Sequence, residues 1–491
     1  MNKTLIYLAF LWVLAACPGT PANARDTVEL ADWPLCNDAA IAEATGSTKC
    51  RWHAHDHAAY IIDGSPTKTG KTPILFLIGG PGSLAAPQTS RLKKLSQATG
   101  RPVIVPDFGG RHKGDDCDLA DDDAIWGIAA APDDAVRYTR ASQQARLDRC
   151  LDQIGDPASL YRRTGTENAA AAIVALRQVL GIESWQIVAE SYGARLALEV
   201  AMRDQAAVGA LVLDSPETPW VDNFWHAGKN FVAALEALSD LCRDHYFCPA
   251  KRIRLHRELL QNISDYDAAA APALPLKNID TGAIDAYARP TREQLLISTF
   301  GALRIPERAA LLPYIAAARS PESMQTRFGL LLDTLLHPRG GLNVAMYHTL
   351  RCAEWPLDQW YTALEEDRLV HPRVAPLLRY IEWRQRYICS RLDLPETTYV
   401  VAPPMTDHPV LILSGALDPI TPPNTVAAAF AAKPNRSRLV YKTLGHGVIG
   451  QRACVKRDVA AFLDAPAQGV TETSCKKSEL AIRYYSPVIV R

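Results

Sequence analysis

Residues 185–201 read Trp185-Gln-Ile-Val-Ala-Glu-Ser191-Tyr-Gly-Ala-Arg-Leu-Ala-Leu-Glu-Val-Ala201. An apolar run of strand type passes directly into a helix-forming run rich in Ala and Leu, so the chain must turn sharply between them. The residue at such a corner is held in a strained backbone conformation. Because Ala189 and Gly193 are small, strand and helix can approach closely and push the Ser191 hydroxyl out at the end of the sheet. The stretch predicts a serine nucleophile.

A second strand breaks into a glycine-rich loop ahead of this corner. It reads Thr72-Pro-Ile-Leu-Phe-Leu-Ile-Gly79-Gly80-Pro81-Gly82-Ser83. A strand that is apolar without alternation is buried on both faces, as in a parallel sheet. The loop lacks the spacing of a phosphate-binding loop. Glycines placed here let backbone N–H groups face a substrate oxygen, so the loop predicts one half of an oxyanion hole.

The order of elements predicts an α/β fold. Strand and helix patterns alternate up to the strand at 209–214, which favours a mostly parallel, doubly wound sheet. Between 215 and 404 the strand pattern disappears and amphipathic helices take over, so this stretch is predicted to be an inserted helical cap domain. The sheet resumes at Pro409. The predicted core therefore comprises residues 25–214 and 405–491.

Two further residues complete a catalytic constellation. A serine hydroxyl needs a general base, and the base needs a third group that fixes its tautomer. Asp418 and His446 each follow a predicted buried strand, in the chain order serine, acid, histidine. Loops at the carboxyl ends of parallel strands meet at one rim of the sheet. Ser191, Asp418 and His446 are thus the predicted nucleophile, orienting acid and base, with Asp214 as the rival acid.

Composition and the N-terminus indicate an exported protein. The formal net charge is zero, which gives no reason to expect a nucleic-acid partner. Residues 1–24 resemble a signal peptide with a small-x-small cleavage site at Ala22-Asn-Ala24. Leu14-Ala-Ala-Cys17 also resembles a bacterial lipobox, so Cys17 is either discarded or lipidated. The expected locations are the periplasm, the outer membrane through a lipid anchor, or the medium.

The remaining ten cysteines form an even set, which in an exported chain indicates disulfides. Sequence leaves the connectivity open, and close neighbours suggest the pairs 36–50, 117–150, 242–248, 352–389 and 454–475. His53, His55 and His57 alternate along one strand, but three histidines on one bare strand rarely close a metal site. No metal and no cofactor are expected.

These motifs together resemble the proline iminopeptidase / tripeptidyl aminopeptidase family of exported α/β-hydrolases. The resemblance rests on motifs spread over residues 70–476: Gly79-Gly-Pro-Gly82, Glu190-Ser-Tyr-Gly193, Ser414-Gly-x-x-Asp418-Pro-x-Thr-Pro-Pro423, Gly445-His-Gly447 and Cys352-Ala-Glu-Trp-Pro356. It implies an α/β-hydrolase fold with a helical cap that limits access to peptide N-termini. It also implies the roles already given to Ser191, Asp418 and His446, and an oxyanion hole made by the backbone N–H groups of Gly80 and Tyr192.

An aminopeptidase must also neutralise the substrate's ammonium group, which calls for a carboxylate in a partly desolvated pocket. Glu190, Glu217 and Glu354 are the candidates. The expected function is a serine aminopeptidase of the prolyl or tripeptidyl type that acts through an acyl-enzyme on a peptide substrate. The alternatives are an esterase or amidase acting on small molecules with the same triad, or a serine carboxypeptidase-like enzyme, since Glu190-Ser-Tyr and Gly-Gly-Pro-Gly occur there too.

Overall fold

The computed structural model describes residues 48–52, 58–62, 70–108, 128–137, 139–218, 226–278, 281–333, 341–394, 407–430 and 436–485. The predicted signal peptide, Cys17 and the three alternating histidines lie outside these ranges. In chain order the strands are β1 (Thr48–Trp52), β2 (Ala58–Ile62), β3 (Ile74–Leu77), β4 (Val103–Asp107), β5 (Trp185–Glu190), β6 (Val208–Asp214), β7 (Leu274–Lys277), β8 (Ile284–Ala288), β9 (Val410–Gly415) and β10 (Arg436–Tyr441).

Seventeen α-helices are described beside these strands. They are α1 (Thr89–Thr99), α2 (Arg140–Leu151), α3 (Pro157–Thr164), α4 (Thr166–Val179), α5 (Tyr192–Arg203), α6 (Ala227–Asp244), α7 (Leu255–Asp265), α8 (Arg292–Leu303), α9 (Pro306–Ala309), α10 (Leu312–Ala316), α11 (Pro321–Asp333), α12 (Val344–Glu354), α13 (Leu357–Val370), α14 (Ala375–Leu392), α15 (Pro423–Ala429), α16 (Val448–Gln451) and α17 (Ala453–Asp464).

Eight strands form one sheet in the order β1-β2-β4-β3-β5-β6-β9-β10. The pairs β1–β2 and β2–β4 are antiparallel, and the strands from β4 to β10 are parallel to their neighbours. The central strands are apolar throughout because helices cover both faces. The predicted α/β fold with a mostly parallel sheet is confirmed.

Each face of the sheet has its own apolar core. Leu75 and Ile187 point to one face, where they pack with α4 and α5. Phe76 and Val188, the next residues along the same strands, point to the other face and pack with α1 and α17. The period of two in a strand divides one continuous apolar sequence between two cores in this way.

A third core lies among helices that follow β6. Its buried residues come chiefly from α6 to α14, and Leu417, Ile482 and Tyr484 join them from after residue 404. A smaller cluster joins Leu147 of α2 and Leu160 of α3 to residues of α12 and α14. Residues on both sides of the predicted cap boundaries therefore share these clusters, and the boundaries at 215 and 404 stay a prediction.

One feature of the 215–404 stretch was not expected. β7 and β8 pair antiparallel as a separate two-stranded sheet, so the prediction of a stretch without strands is wrong here. Both strands are short, and Pro275 lies inside the first. A proline within a run argues against a strand in sequence-based prediction, because it is tolerated only at edges and bulges.

Three of the suggested disulfides are formed: Cys242–Cys248, Cys352–Cys389 and Cys454–Cys475. Cys150 is also disulfide-bonded, whereas Cys36, Cys117 and the side chain of Cys50 lie outside the described residues. Within the described ranges, no helix combines the length and the apolar character that a membrane span requires.

Candidate active site

Ser191 occupies the corner between β5 and α5. Its backbone has φ 56° and ψ −123°, a left-handed conformation that costs a non-glycine residue energy and is typical of functional corners. The neighbours must be small for this corner to form. A Cβ on Gly193 would lie 2.2 Å from the Leu77 carbonyl oxygen, and one on Gly79 would lie 2.8 Å from the Ser191 Cβ. The predicted corner is therefore present, with the glycine-rich loop directly against the serine.

The structure brings His446 and Asp418 together. The ring Nδ1 lies 2.8 Å from Asp418 Oδ2, and both side chains are buried. Burial alone would raise the pKa of the Asp418 carboxyl, but His446 and the Thr421 hydroxyl outweigh it and lower that pKa. Burial alone would lower the pKa of His446, but the Asp418 carboxylate outweighs it and raises that pKa. This pair can hold one ring tautomer and stabilise an imidazolium.

Asp214, the rival acid, has different partners. It ends β6, beside the serine corner, and its two carboxylate oxygens accept the backbone N–H groups of Val448 and Ile449 at 2.9 and 2.8 Å. Burial, together with the nearby Glu190 carboxylate, raises the pKa of Asp214 to about 7. Asp214 thus ends β6 and Asp418 follows the neighbouring strand β9, but the partner of the His446 ring is Asp418.

The histidine loop is also attached to the end of α8. The His446 N–H donates to the Arg304 carbonyl at 3.1 Å, and the Gln451 side chain donates to the same oxygen. Arg304 follows the last residue of α8. A Cβ on Gly445 would lie 2.3 Å from the Leu303 carbonyl oxygen and 2.4 Å from that of Arg304, so only glycine allows the two backbones to approach this closely.

Gly80 and Tyr192, the predicted oxyanion-hole residues, both lie beside Ser191. Tyr192 is the first residue of α5, and Gly80 follows the glycine in contact with the serine. Gly80 has φ 122°, a value that side-chain-bearing residues rarely adopt. The loop is also fixed by the residue before α12, because the Asn343 N–H donates to the Gly82 carbonyl at 2.8 Å. A small cavity adjoins this corner and is lined by Leu77, Ile78, Gly79, Gly82, Ser83, Pro106, Phe108, Ala169, Tyr192, Leu196 and Met346.

Glu190, the first of the three candidate carboxylates, is paired inside the protein. Its Oε2 lies 2.6 Å from Nη1 of Arg91, which belongs to α1. The Glu190 carboxyl leaves little room for a side chain at position 447, since a Cβ on Gly447 would lie 3.0 Å from the Glu190 carboxyl carbon. Burial would raise the pKa of Glu190, but Arg91 outweighs it and lowers that pKa. Glu190 is thus the partner of a resident cation.

Glu354, the second, is satisfied by residues of the core. It accepts the Thr166 N–H at 2.7 Å and the Thr166 hydroxyl at 2.6 Å, and its Oε2 lies 3.1 Å from Nη2 of Arg195. The same threonine hydroxyl lies 2.7 Å from the Tyr192 hydroxyl. Glu354 ends α12, so this buried network joins α12 to the residue that follows Ser191.

Glu217, the third, differs from both. Its backbone N–H donates to the Ser191 carbonyl at 3.1 Å, which places it next to the serine corner. The residue is 5% exposed, and its Oε1 is a buried atom without a hydrogen-bond partner. Burial raises the pKa of Glu217 against the lowering effect of Arg351 and Arg195. Of the three candidates, this is the carboxylate with an unused acceptor.

Two residues of the site were not anticipated from the sequence. The Thr421 hydroxyl donates to Asp418 Oδ2 at 2.7 Å and also lies 3.0 Å from the Ser215 carbonyl oxygen. An Asp followed three residues later by Thr is a known pattern of local turns, so Asp418-x-x-Thr421 contained a signal for the first contact. Nothing in the sequence indicated Ser215, because its contacts with Thr421 and Gly447 join residues 206 and 232 positions apart along the chain.

Within the part of the chain that the structure describes, no group of three or more His, Cys, Asp or Glu side chains could hold a metal ion.

Two family models match the chain. The model described as alpha/beta hydrolase fold matches residues 72–241, and the model described as TAP-like protein matches residues 379–475. The first match contains Ser191 and the second contains Asp418 and His446. The two matches together hold all three residues of the constellation.

Among curated proteins, the chain is 24% identical over 378 residues to the serine protease Hip1 of Mycobacterium tuberculosis, covering 69% of each protein. Among solved structures, it is similar to a proline iminopeptidase of Mycobacterium smegmatis, with 15% identity, a TM-score of 0.32 and coverage of 86% of this chain and 99% of that one. It is also similar to a serine hydrolase of Cycloclasticus zankles, with 12% identity, a TM-score of 0.36 and coverage of 85% and 98%.

Proposed function

The chain is an α/β-hydrolase of the proline iminopeptidase / tripeptidyl aminopeptidase type and a serine hydrolase, and from this premise we propose that it is an exported aminopeptidase. It removes a prolyl residue or a short peptide from the free N-terminus of a peptide. The observation that carries this proposal is the buried Glu217 carboxylate, whose Oε1 has no hydrogen-bond partner beside Ser191.

Ser191 is the proposed nucleophile and His446 the general base. As the Ser191 Oγ bonds to the scissile carbonyl carbon, its proton passes to His446 Nε2, and Asp418 stabilises the imidazolium through Nδ1. The Ser191 hydroxyl is not hydrogen-bonded to the ring in this structure, and such contacts commonly tighten only when substrate is bound. The imidazolium then protonates the leaving amine as the C–N bond breaks, which leaves an acyl-enzyme that water hydrolyses.

The backbone N–H groups of Gly80 and Tyr192 are the proposed donors to the oxyanion. Backbone donors held at a fixed distance need no reorganisation when charge develops on the carbonyl oxygen. Both residues are fixed by their surroundings: Gly80 lies in the loop packed on Ser191, and the Tyr192 hydroxyl is anchored at Thr166.

Glu217 is the proposed acceptor for the substrate's ammonium group. Glu190 is paired with Arg91, and Glu354 is paired with Arg195 and Thr166, so neither has the same free capacity. A buried carboxylate that lacks a donor costs free energy unless a ligand supplies one. An ammonium group bound there places the N-terminus a fixed distance from Ser191, as an aminopeptidase requires.

Export is part of this proposal. The three described disulfides are typical of proteins that fold in an oxidising compartment, and the N-terminal segment has the features of a signal peptide. Intact-mass measurement of the mature protein distinguishes a start at Arg25 from a lipidated Cys17. A mass that retains residues 1–16 would contradict export by either route.

Substrate profiling tests the function. The panel contains prolyl- and tripeptidyl-amides with a free N-terminus, the same amides acetylated at the N-terminus, and short-chain acyl esters. We expect the free amides to be turned over, the acetylated ones to be poor substrates, and the Ser191→Ala variant to lose activity on all of them. If only the esters are turned over, the protein is an esterase and not a peptidase. An active Ser191→Ala variant would contradict the proposed mechanism.

A further inference from the structure

The dipeptide Asp214-Ser215 lies where three active-site segments meet. Asp214 is the last residue of β6, between β5 and β9 in the sheet, and both residues are completely buried. Ser215 has φ 49°, a left-handed backbone that is costly for serine and persists only where surrounding contacts hold it. A strained, buried dipeptide beside the nucleophile corner is a reason to ask what its contacts do.

The first contact is with the nucleophile segment. The Ser191 N–H donates to the Asp214 carbonyl at 2.9 Å. The second is with the acid segment, where the Thr421 hydroxyl, which also donates to Asp418, lies 3.0 Å from the Ser215 carbonyl oxygen. One dipeptide therefore contacts both the residue that attacks and the threonine that holds the acid.

The third contact is with the histidine segment, and it is the most extensive. The Gly447 N–H donates to Ser215 Oγ at 3.0 Å, and the next two N–H groups, of Val448 and Ile449, donate to the two oxygens of Asp214. The Ser215 hydroxyl donates in turn to Asp214 Oδ1 at 3.1 Å. Three successive backbone N–H groups directly after His446 are thus held by two side chains.

Charged groups face this contact from β5, α1 and α17, and Arg304 at the end of α8 acts on both the His446 ring and Glu190. Glu190 of β5 and the His446 ring both act on the Asp214 carboxyl, and Arg91 of α1 neutralises Glu190. From α17, the Lys456 ammonium donates to the Ile449 carbonyl at 2.6 Å. The far end of the histidine segment is therefore fixed by a buried cation as well.

We propose that Asp214-Ser215 is a positioning junction that sets the nucleophile, acid and base segments relative to one another. The inference rests on the proposed roles of Ser191, Asp418 and His446. Neither residue touches the reacting atoms. Asp214 and Ser215 act on turnover through the placement of the His446 ring, and the ground-state contacts of the substrate do not depend on them.

Asp214→Asn is the direct test. An amide keeps one acceptor oxygen and presents an NH2 group to the other backbone N–H, so it cannot accept both Val448 and Ile449. Misplacement of a catalytic group by about 1 Å costs roughly 10²-fold in rate. We expect kcat to fall by about this factor while KM changes less than about twofold.

Asp458→Asn is the matched control. Asp458 is also a fully buried aspartate, and it accepts the Tyr441 and Thr473 hydroxyls at 2.7 and 2.6 Å and the Ser474 N–H at 2.7 Å. None of these hydrogen bonds involves residues 446–449. We expect this variant to unfold at a lower temperature but to keep the wild-type kcat. Equal loss of kcat in the two variants would reduce Asp214 to a structural residue and overturn the proposal.

The pH profile supplies a readout that lost stability alone would not change. If the junction places His446 on Asp418, its loss weakens the contact that raises the pKa of His446. That pKa then falls, so the acid limb of kcat/KM is expected to move to lower pH in Asp214→Asn and to stay in place in Asp458→Asn. An acid limb at the wild-type pH together with an unchanged kcat in Asp214→Asn would contradict the proposal.

Ser215→Gly tests the junction if the Asp214 variant fails to fold. Glycine accepts the positive φ without strain and removes only the hydroxyl that holds Gly447. We expect a loss of kcat of about tenfold with an unaltered KM, and wild-type kcat would overturn the role of Ser215. The Ser191→Ala variant is assayed in parallel. If it retains activity the proposed function fails, whereas a dead Ser191→Ala with an unaffected Asp214→Asn refutes the junction alone.

Discussion

Glu217 and Glu354 are two buried carboxylates beside the same serine corner, yet their surroundings differ. Burial raises the pKa of both, against the opposing charge of Arg195 in each case. Glu354 has donors on both oxygens, from Thr166 and Arg195, whereas Glu217 has a buried oxygen without a partner. The two residues therefore agree in burial and in the direction of the pKa shift. They differ in whether their carboxylate oxygens have hydrogen-bond partners.

This difference predicts separate roles for the two carboxylates, one in stability and one in substrate binding. Nearly all buried polar groups in proteins are hydrogen-bonded, and an exception calls for an explanation such as a ligand or a catalytic role. The satisfied carboxylate ties α12 to α4 and α5 and should matter for folding. The unsatisfied one should matter for substrate, and removing it should not destabilise the protein.

The largest expected effect is on stability, in Glu354→Gln. The substitution leaves Arg195 without its carboxylate in a fully buried position, and breaking one side of a buried pair costs about 3 kcal/mol or more. Urea unfolding measures the loss. Combining it with Arg195→Met should restore part of the stability, because an apolar replacement of a buried pair is often neutral. An unchanged midpoint in the single variant would contradict the structural role.

The second-largest effect is expected in Glu217→Gln, on the turnover of peptides with a free N-terminus. Loss of the charged partner should reduce kcat/KM for unblocked peptide amides by roughly 10²-fold, within the range measured for single partners of buried charge pairs. Hydrolysis of an acyl ester that carries no ammonium group serves as the internal control and should change little. Equal losses on both substrate classes would mean that Glu217 acts on the chemistry and not on the ammonium group.

Thr166→Val should have a smaller effect on the same network. It removes the hydroxyl shared by Glu354 and Tyr192 but keeps the backbone N–H bond to the carboxylate. A hydrogen bond to a buried charged group is worth about 1.5 to 3 kcal/mol, so a loss near the lower end of that range is expected in urea unfolding. Since Tyr192 is also released, kcat should fall by more than KM changes; a pure KM effect would contradict this coupling.

The smallest expected effect is a gain of stability in Glu217→Gln, by about 1 kcal/mol at neutral pH. The raised pKa of Glu217 means that the folded protein holds this proton more tightly than the unfolded chain does. The favourable contribution is therefore complete below the unfolded value of about 4.3 and is lost as the pH rises through the folded value. The advantage of the variant should grow with pH above about 4.3, and a variant less stable than wild type at pH 7 would refute the argument.

Sequence reasoning succeeded where the signal was local. The strand-corner-helix pattern around Ser191, the glycine loop after β3 and the strand before Asp418 are continuous stretches whose apolar residues are buried. The strand before His446, predicted to be buried, is the edge strand β10, and its Arg438 and Val440 are exposed. The β7–β8 pair was missed because each strand is too short for its alternation to register, and Pro275 argued against the first.

Ranking the three glutamates was beyond the sequence. Arg91 lies 99 positions from Glu190, and Thr166 lies 188 positions from Glu354. Such partners are brought together only by the fold, so a single sequence gives each carboxylate the same weight. The sequence favours Asp418 over Asp214 as the orienting acid, and Asp214 stays a rival for the same reason, since both lie at or just after the ends of apolar strands.

The bond from the His446 N–H to the Arg304 carbonyl has a consequence for engineering this protein. The end of α8 contributes a main-chain oxygen to the base segment, so a change of side chain at position 304 leaves this bond in place. Substitution there would not reveal the contact, whereas deletion of α8 would remove it. A redesigned 215–404 stretch must therefore keep the end of a helix at this place to support the histidine, whatever its sequence is.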